Sequence, residues 1–157
     1  ENYSLCDTWT KKWLYIDNVT NSDYIKYSWL NIWSDFIIEM DVEKHDYPVT
    51  SIHTLFRIPN KQLLVHLKND KIFVVQFYNW NYTVEVHEIN QIIGNNLNIL
   101  LKINNWVSTL KINNIEISPI TNELFSNISL QDIYIWWNYK KTQQLNSIIY
   151  YLKIYKK

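Results

Sequence analysis

Glu39, Asp41 and Glu43 stand two residues apart in the stretch Asp35-Phe-Ile-Ile-Glu-Met-Asp-Val-Glu43. Paired carboxylates on one surface are the equipment of a glycoside hydrolase. A retaining enzyme needs a nucleophile and an acid about 5 Å apart, with one carboxyl raised in pKa by a water-poor cleft. The same spacing has a plainer cause. Phe36, Ile38, Met40 and Val42 fill the intervening positions, so the stretch reads as a strand with one apolar and one acidic face. The connections around it are short and cannot wall a cleft. The expectation is therefore a solvated acidic row at a sheet edge, dispensable for any activity, and no catalytic residue.

Other reactive side chains are scattered. His45, His53, His66 and His87 lie on separate elements with no His-x-His or His-x-x-x-His pair, so no metal site is expected. His66 and His87 alternate with apolar neighbours and are expected to face solvent. Gly94 is the only glycine, which excludes a glycine-rich phosphate loop, and no cofactor is expected. Cys6 is the only cysteine; in an oxidising compartment it is a candidate for a disulfide to another chain.

Aromatic side chains remain. Asn79-Trp80-Asn81-Tyr82 and Trp136-Trp137-Asn138-Tyr139 set flat apolar rings beside amides, the combination that stacks on and hydrogen-bonds to sugars. Trp136 and Trp137 are adjacent, so on a strand they point to opposite faces and only one can be core. The other marks a partner or glycan surface. Core filling by aromatics in a chain without alanine accounts for the same tryptophans, and both readings stay open.

The elements that must position these residues repeat the period of two. Ser51–Ile58 is stopped by Pro59-Asn60. Gln62–Lys68 and Lys71–Phe77 flank Asn69-Asp70, a hairpin turn. Tyr82–Glu88 alternates again, and Leu97, Ile99, Leu101 and Ile103 form an inward set. Ser108–Ile112 turns on Asn113-Asn114 into Ile115–Ile117, and Asp132–Trp137 and Ser147–Tyr155 close the chain. About ten to twelve strands make an all-β antiparallel sandwich. Residues 1–33, with Trp9, Trp13, Trp29 and Trp33, read as an aromatic-rich strand and loop segment packing on a sandwich of residues 34–157, a single domain overall.

At 157 residues, 47% of them hydrophobic, the chain can build a core. Fifteen basic residues balance fifteen acidic ones and Arg57 is the only arginine, which speaks against a nucleic-acid partner. No apolar run reaches the roughly 18 residues of a membrane span. The abundance of Asn, Ile, Lys and Tyr points to an A/T-rich genome. Asn2, Asn18, Asn81 and Asn127 begin N-glycosylation sequons, and Asn18, Asn81 and Asn127 sit at expected turns or strand edges.

The order of these strands and turns resembles the laminin-G-like and concanavalin A-like lectin β-sandwich superfamily, a jelly roll. The resemblance rests on Phe36-Ile-Ile-Glu-Met-Asp-Val42, the Leu63–Val74 hairpin, the Thr109–Ile117 hairpin and the closing Leu152-Lys-Ile-Tyr155. Glycines that the superfamily places in turns are missing, so Asn-Asn and Asn-Asp must take those positions. Bacterial endo-β-glucanases of this fold carry an acidic strand similar to Glu39–Glu43, but they are longer chains with deep clefts. Galectins of this fold use a His-x-Asn-x-x-Arg strand that Arg57 does not reproduce. Balanced charge, the lone Cys6, the aromatic surface candidates and the absence of catalytic spacing fit a non-enzymatic extracellular module, secreted or at the cell surface, that binds a protein partner or itself. A lectin-like carbohydrate-binding domain is the alternative, and a glycosidase or an organellar structural subunit a distant one.

Overall fold

The computed structural model describes residues 3–9, 14–16, 25–27, 32–33, 35–44, 52–57, 63–68, 72–79, 82–89, 94–127, 129–130, 132–135 and 147–157. Among them are fifteen strands: β1 (Ser4–Trp9), β2 (Leu14–Ile16), β3 (Ile25–Tyr27), β4 (Ile32–Trp33), β5 (Asp35–Lys44), β6 (Ile52–Arg57), β7 (Leu63–Lys68), β8 (Ile72–Asn79), β9 (Tyr82–Ile89), β10 (Asn96–Asn104), β11 (Val107–Ile112), β12 (Ile115–Thr121), β13 (Ser129–Leu130), β14 (Ile133–Ile135) and β15 (Ser147–Lys156). Among the described residues a 3₁₀ turn, Glu123–Asn127, interrupts them. The count exceeds the expected one because residues 1–33, read as a strand and a loop, hold the short strands β2, β3 and β4 besides β1, and because β13 was not expected.

The strands form an antiparallel sandwich. One sheet runs β1-β15-β5-β10-β11-β12, with β2 also pairing β15; the other runs β3-β14-β6-β7-β8-β9, and β13 pairs β4. The period of two decides which residues lie between them. Phe36, Ile38, Met40 and Val42 of β5 and Leu97, Ile99, Leu101 and Ile103 of β10 are all fully buried. The register pairs Ile38 with Leu101 and Met40 with Ile99, so these side chains form one apolar layer. Ser108, Leu110 and Ile112 of β11 and Ile149, Leu152 and Ile154 of β15 extend that layer, Val65 joins it from the other sheet, and Phe125 of the 3₁₀ turn is also fully buried.

The turns solve the shortage of glycine. Asn113 and Asn114 take φ of 48° and 66°, the left-handed region that suits a two-residue hairpin loop. Asn113 is fixed further by its side chain, whose Oδ1 accepts from the Asn98 backbone N–H at 2.8 Å and whose Nδ2 donates to the Asn96 carbonyl at 3.0 Å. Asn105 takes φ 52° in the turn between β10 and β11, and its N–H donates to Asp35 Oδ1 at 2.6 Å. The Asn69-Asp70 turn lies outside the described residues, and its flanking strands pair Lys68 with Ile72.

Two expectations from simple alternation are corrected. His87 faces the core and is 1% exposed, not solvated. Val75 pairs His87 while Gln76 pairs Glu85, so Val86 is an extra residue on β9, and that bulge resets the inward–outward count. The acidic row is not at an edge. β5 lies inside its sheet between β15 and β10, and Glu39, Asp41 and Glu43 are half-buried.

Candidate functional site

The outer face of the seven-stranded sheet gathers side chains from distant parts of the chain. On β5 it presents Ile37, Glu39, Asp41 and Glu43; on β10, Asn98, Leu100 and Lys102; on β11, Thr109 and Lys111. β15 adds more than its alternation predicts. Ile149 pairs Val42 and Tyr151 pairs Asp41, leaving Tyr150 as a bulged extra residue. The bulge keeps Ile149 and Leu152 in the core while Tyr150 and Tyr151 both stay outside it.

Several of these groups are joined by hydrogen bonds centred on Glu39. Tyr151 Oη donates to Glu39 Oε1 at 2.8 Å and accepts from Asn98 Nδ2 at 2.8 Å. Tyr155 Oη donates to Glu39 Oε2 at 3.2 Å, so both carboxylate oxygens of Glu39 are engaged. Tyr150 Oη donates to Glu43 Oε2. Lys153 Nζ stands 4.6 Å from the centre of the Tyr151 ring, and Lys102 Nζ 5.2 Å from that of Tyr3, both cation–π distances.

Titration follows the geometry. Partial burial, then the hydrogen bond and charge of Glu39, push the Tyr151 phenol up to about 12. Burial and Glu39 raise Tyr155, and the Glu43 hydrogen bond is the main cause that raises Tyr150. Burial and the adjacent Glu39 charge raise Asp41, since each disfavours a second negative charge there. Among the described residues no group of three His, Cys, Asp or Glu side chains has the geometry to hold a metal ion.

Beside this network the face opens into a groove of about 540 Å³ lined by residues that include Leu100, Lys102, Asn104, Thr109, Lys111 and Glu116. The β10–β11 turn that adjoins Asn104 and Val107 carries Trp106, 48% exposed. Its backbone is pinned, because the Asn122 N–H donates to the Trp106 carbonyl at 2.8 Å and Asp35 holds the preceding Asn105 N–H. A large ring on an anchored turn is presented to solvent without the ordering cost of a mobile loop.

Trp80, Trp136, Trp137, Asn138 and Tyr139 lie outside the described residues, as do Asn2, Asn18 and Asn81. Tyr82 opens β9 opposite Asn79, Asn127 ends the 3₁₀ turn, and Cys6 is the unpaired residue of a bulge in β1 between Leu5 and Asp7. Trp106 was legible in principle, since Asn104-Asn105-Trp106 repeats the amide–aromatic pattern seen at Trp80. The tyrosines were not, because only the β15–β5 register brings them to the acids.

No family model and no curated protein sequence matches the chain. Solved structures do. The CBM40 module of the Ruminococcus gnavus IT-sialidase, bound there to α2,3-sialyllactose, is 12% identical with a TM-score of 0.67, over 98% of this chain and 93% of that one. The chain has the laminin-G-like, concanavalin A-like lectin β-sandwich fold. Mouse laminin α1 domains LG4-5 are 9% identical with a TM-score of 0.66, over 90% of this chain and 41% of that one. The binding domain of botulinum neurotoxin DC, in complex with rat synaptotagmin II, is 15% identical with a TM-score of 0.60, over 78% of this chain and 32% of that one. The chain thus spans nearly all of the first of these and well under half of the other two. Its structural neighbours are mostly binding domains. Among the described residues no helix is long and apolar enough to cross a membrane.

Proposed function

We propose that the chain is a non-enzymatic extracellular binding module that takes up glycans on the outer face of its seven-stranded sheet. The observation that carries this is the groove beside Trp106 and the tyrosine–carboxylate network. It offers an aromatic platform, fixed amide and carboxylate acceptors, and lysine donors on one face. Sugars need that combination: a ring to stack on and hydrogen-bonding groups held in place. The sialyllactose of the CBM40 neighbour supports the reading. A binding role is favoured over catalysis by the structural neighbours, which are mostly binding domains.

A glycan array with the purified chain tests it. Binding that is lost in Trp106→Ala, with the circular dichroism and melting temperature unchanged, supports the reading, and no binding by the unaltered chain to any glycan overturns it. Trp80→Ala and Trp136→Ala on the same array test those residues, with Tyr82, Trp137, Asn138 and Tyr139, as further sugar contacts. Turnover of a β-linked glucan, abolished by Glu39→Gln, would overturn the non-enzymatic assignment.

A protein partner or self-association is the second reading, favoured by Leu5 and Ile115, which are 51% and 47% exposed. Elution volume on gel filtration across a range of concentrations separates it from a monomeric lectin. Extracellular display further implies glycans at Asn18, Asn81 and Asn127 and a disulfide from Cys6 to another chain. An intact mass equal to the bare 19.1 kDa polypeptide would exclude both.

A further inference from the structure

His87 on β9 and Ser108 on β11 belong to different sheets, and their side chains meet inside the sandwich, with His87 Nε2 3.1 Å from Ser108 Oγ. They are 1% and 0% exposed and are the buried polar side chains found among the described residues, whose other buried side chains are hydrocarbon or thioether. The second ring nitrogen, Nδ1, is buried with no hydrogen-bond partner among those residues.

A neutral imidazole carries one N–H and one lone pair, so a single partner leaves it incompletely satisfied but uncharged. Protonation changes both counts. Each nitrogen becomes a donor, Ser108 can serve only one, and a full charge is placed where water cannot reach it. Among the described side chains that face the interior, no carboxylate relieves this. The described side chains facing the interior from β5, β7, β10, β11 and β15 include Phe36, Ile38, Met40, Val65, Leu101 and Leu110, and apart from Ser108 all of them are hydrocarbon or thioether. Glu39, Asp41 and Glu43 point to the opposite side of their sheet.

We propose that the His87–Ser108 contact is an acid-sensitive latch between the two sheets, closed while His87 is neutral and forced open when it is protonated. Burial holds the imidazole below its ordinary pKa, with the Ser108 backbone opposing that in part. The unfolded chain binds the proton with an ordinary histidine pKa near 6.5 while the folded chain resists it. Stability is therefore complete above that value. It falls as the pH drops below it, by up to about tenfold in the unfolding constant per pH unit, until the folded-state pKa is reached. Val107 and Thr109, the neighbours of Ser108 on β11, line the groove on the other face, so the latch holds the groove floor as well as the core.

Urea unfolding of the unaltered chain and of His87→Gln, at pH 7.5 and 5.5, tests the latch. The expected result is an unfolding constant that rises about tenfold more in the unaltered chain than in the variant. An equal rise in both overturns the proposal. Should His87→Gln fail to fold, the histidine ring signals of the unaltered chain in an NMR titration decide the matter. The latch requires the His87 ring to stay neutral well below pH 6.5. A His87 ring that takes up its proton near pH 6.5 with the fold intact overturns it.

Discussion

Removing one oxygen, in Tyr151→Phe, measures what the network on the outer face contributes. The ring stays, so its packing and the nearby Lys153 ammonium are preserved, but two hydrogen bonds of 2.8 Å go: the one donated to Glu39 and the one accepted from Asn98. A neutral hydrogen bond is worth about 1 kcal/mol net and one to a charged group about 1.5–3. Tyr151 is half-buried, so water replaces part of both, and a loss of about 1–2 kcal/mol remains. With a urea m-value of about 2 kcal/mol/M, the unfolding midpoint should fall by about 0.5–1 M with the slope unchanged. The double variant with Glu39→Gln separates the pair from its surroundings. Because Tyr155 still reaches Glu39, the coupling between positions 39 and 151 should be about 1 kcal/mol rather than the full loss. A midpoint shift below about 0.2 M, or strictly additive single variants, would refute the claim that this phenol organises the carboxylates.

The Asn113-Asn114 turn predicts a contrast between neighbours. Asn114→Gly should be neutral or stabilising by a few tenths of a kcal/mol, because glycine adopts its φ of 66° without strain. Asn113→Gly should cost about 1 kcal/mol through loss of the two side-chain bonds to Asn98 and Asn96, with thermal melts of both variants as the check. Asp41 gives a pH prediction. Its folded-state pKa is raised, so the fold favours the neutral acid, and a negative charge at that position costs stability as the pH rises through that value. Asp41→Asn should then be more stable than the unaltered chain at neutral pH. The gap should close as the pH falls below the ordinary aspartate value of about 3.9, and urea midpoints that separate instead would reverse the sign.

Much of this fold is local information. The alternation in Phe36–Val42 and Leu97–Ile103 states which side of each strand is buried, because a strand buried on one face leaves that period whatever its neighbours are. The Asn113-Asn114 pair states where a hairpin turns, because asparagine tolerates positive φ where glycine is absent. Alternation failed where a bulge reset it, at Val86, which turned His87 inward, and at Tyr150, which added a tyrosine to the outer face. A bulge depends on how two strands mesh, so one strand's residues do not announce it. The site was the least legible part. Glu39 and Tyr151 are separated by 112 residues and meet only because β15 pairs β5 in one register. Every strand offers the same backbone donors and acceptors, so the choice of partner strand comes from packing the whole sandwich, and that choice made an acidic row into a tyrosine-capped network.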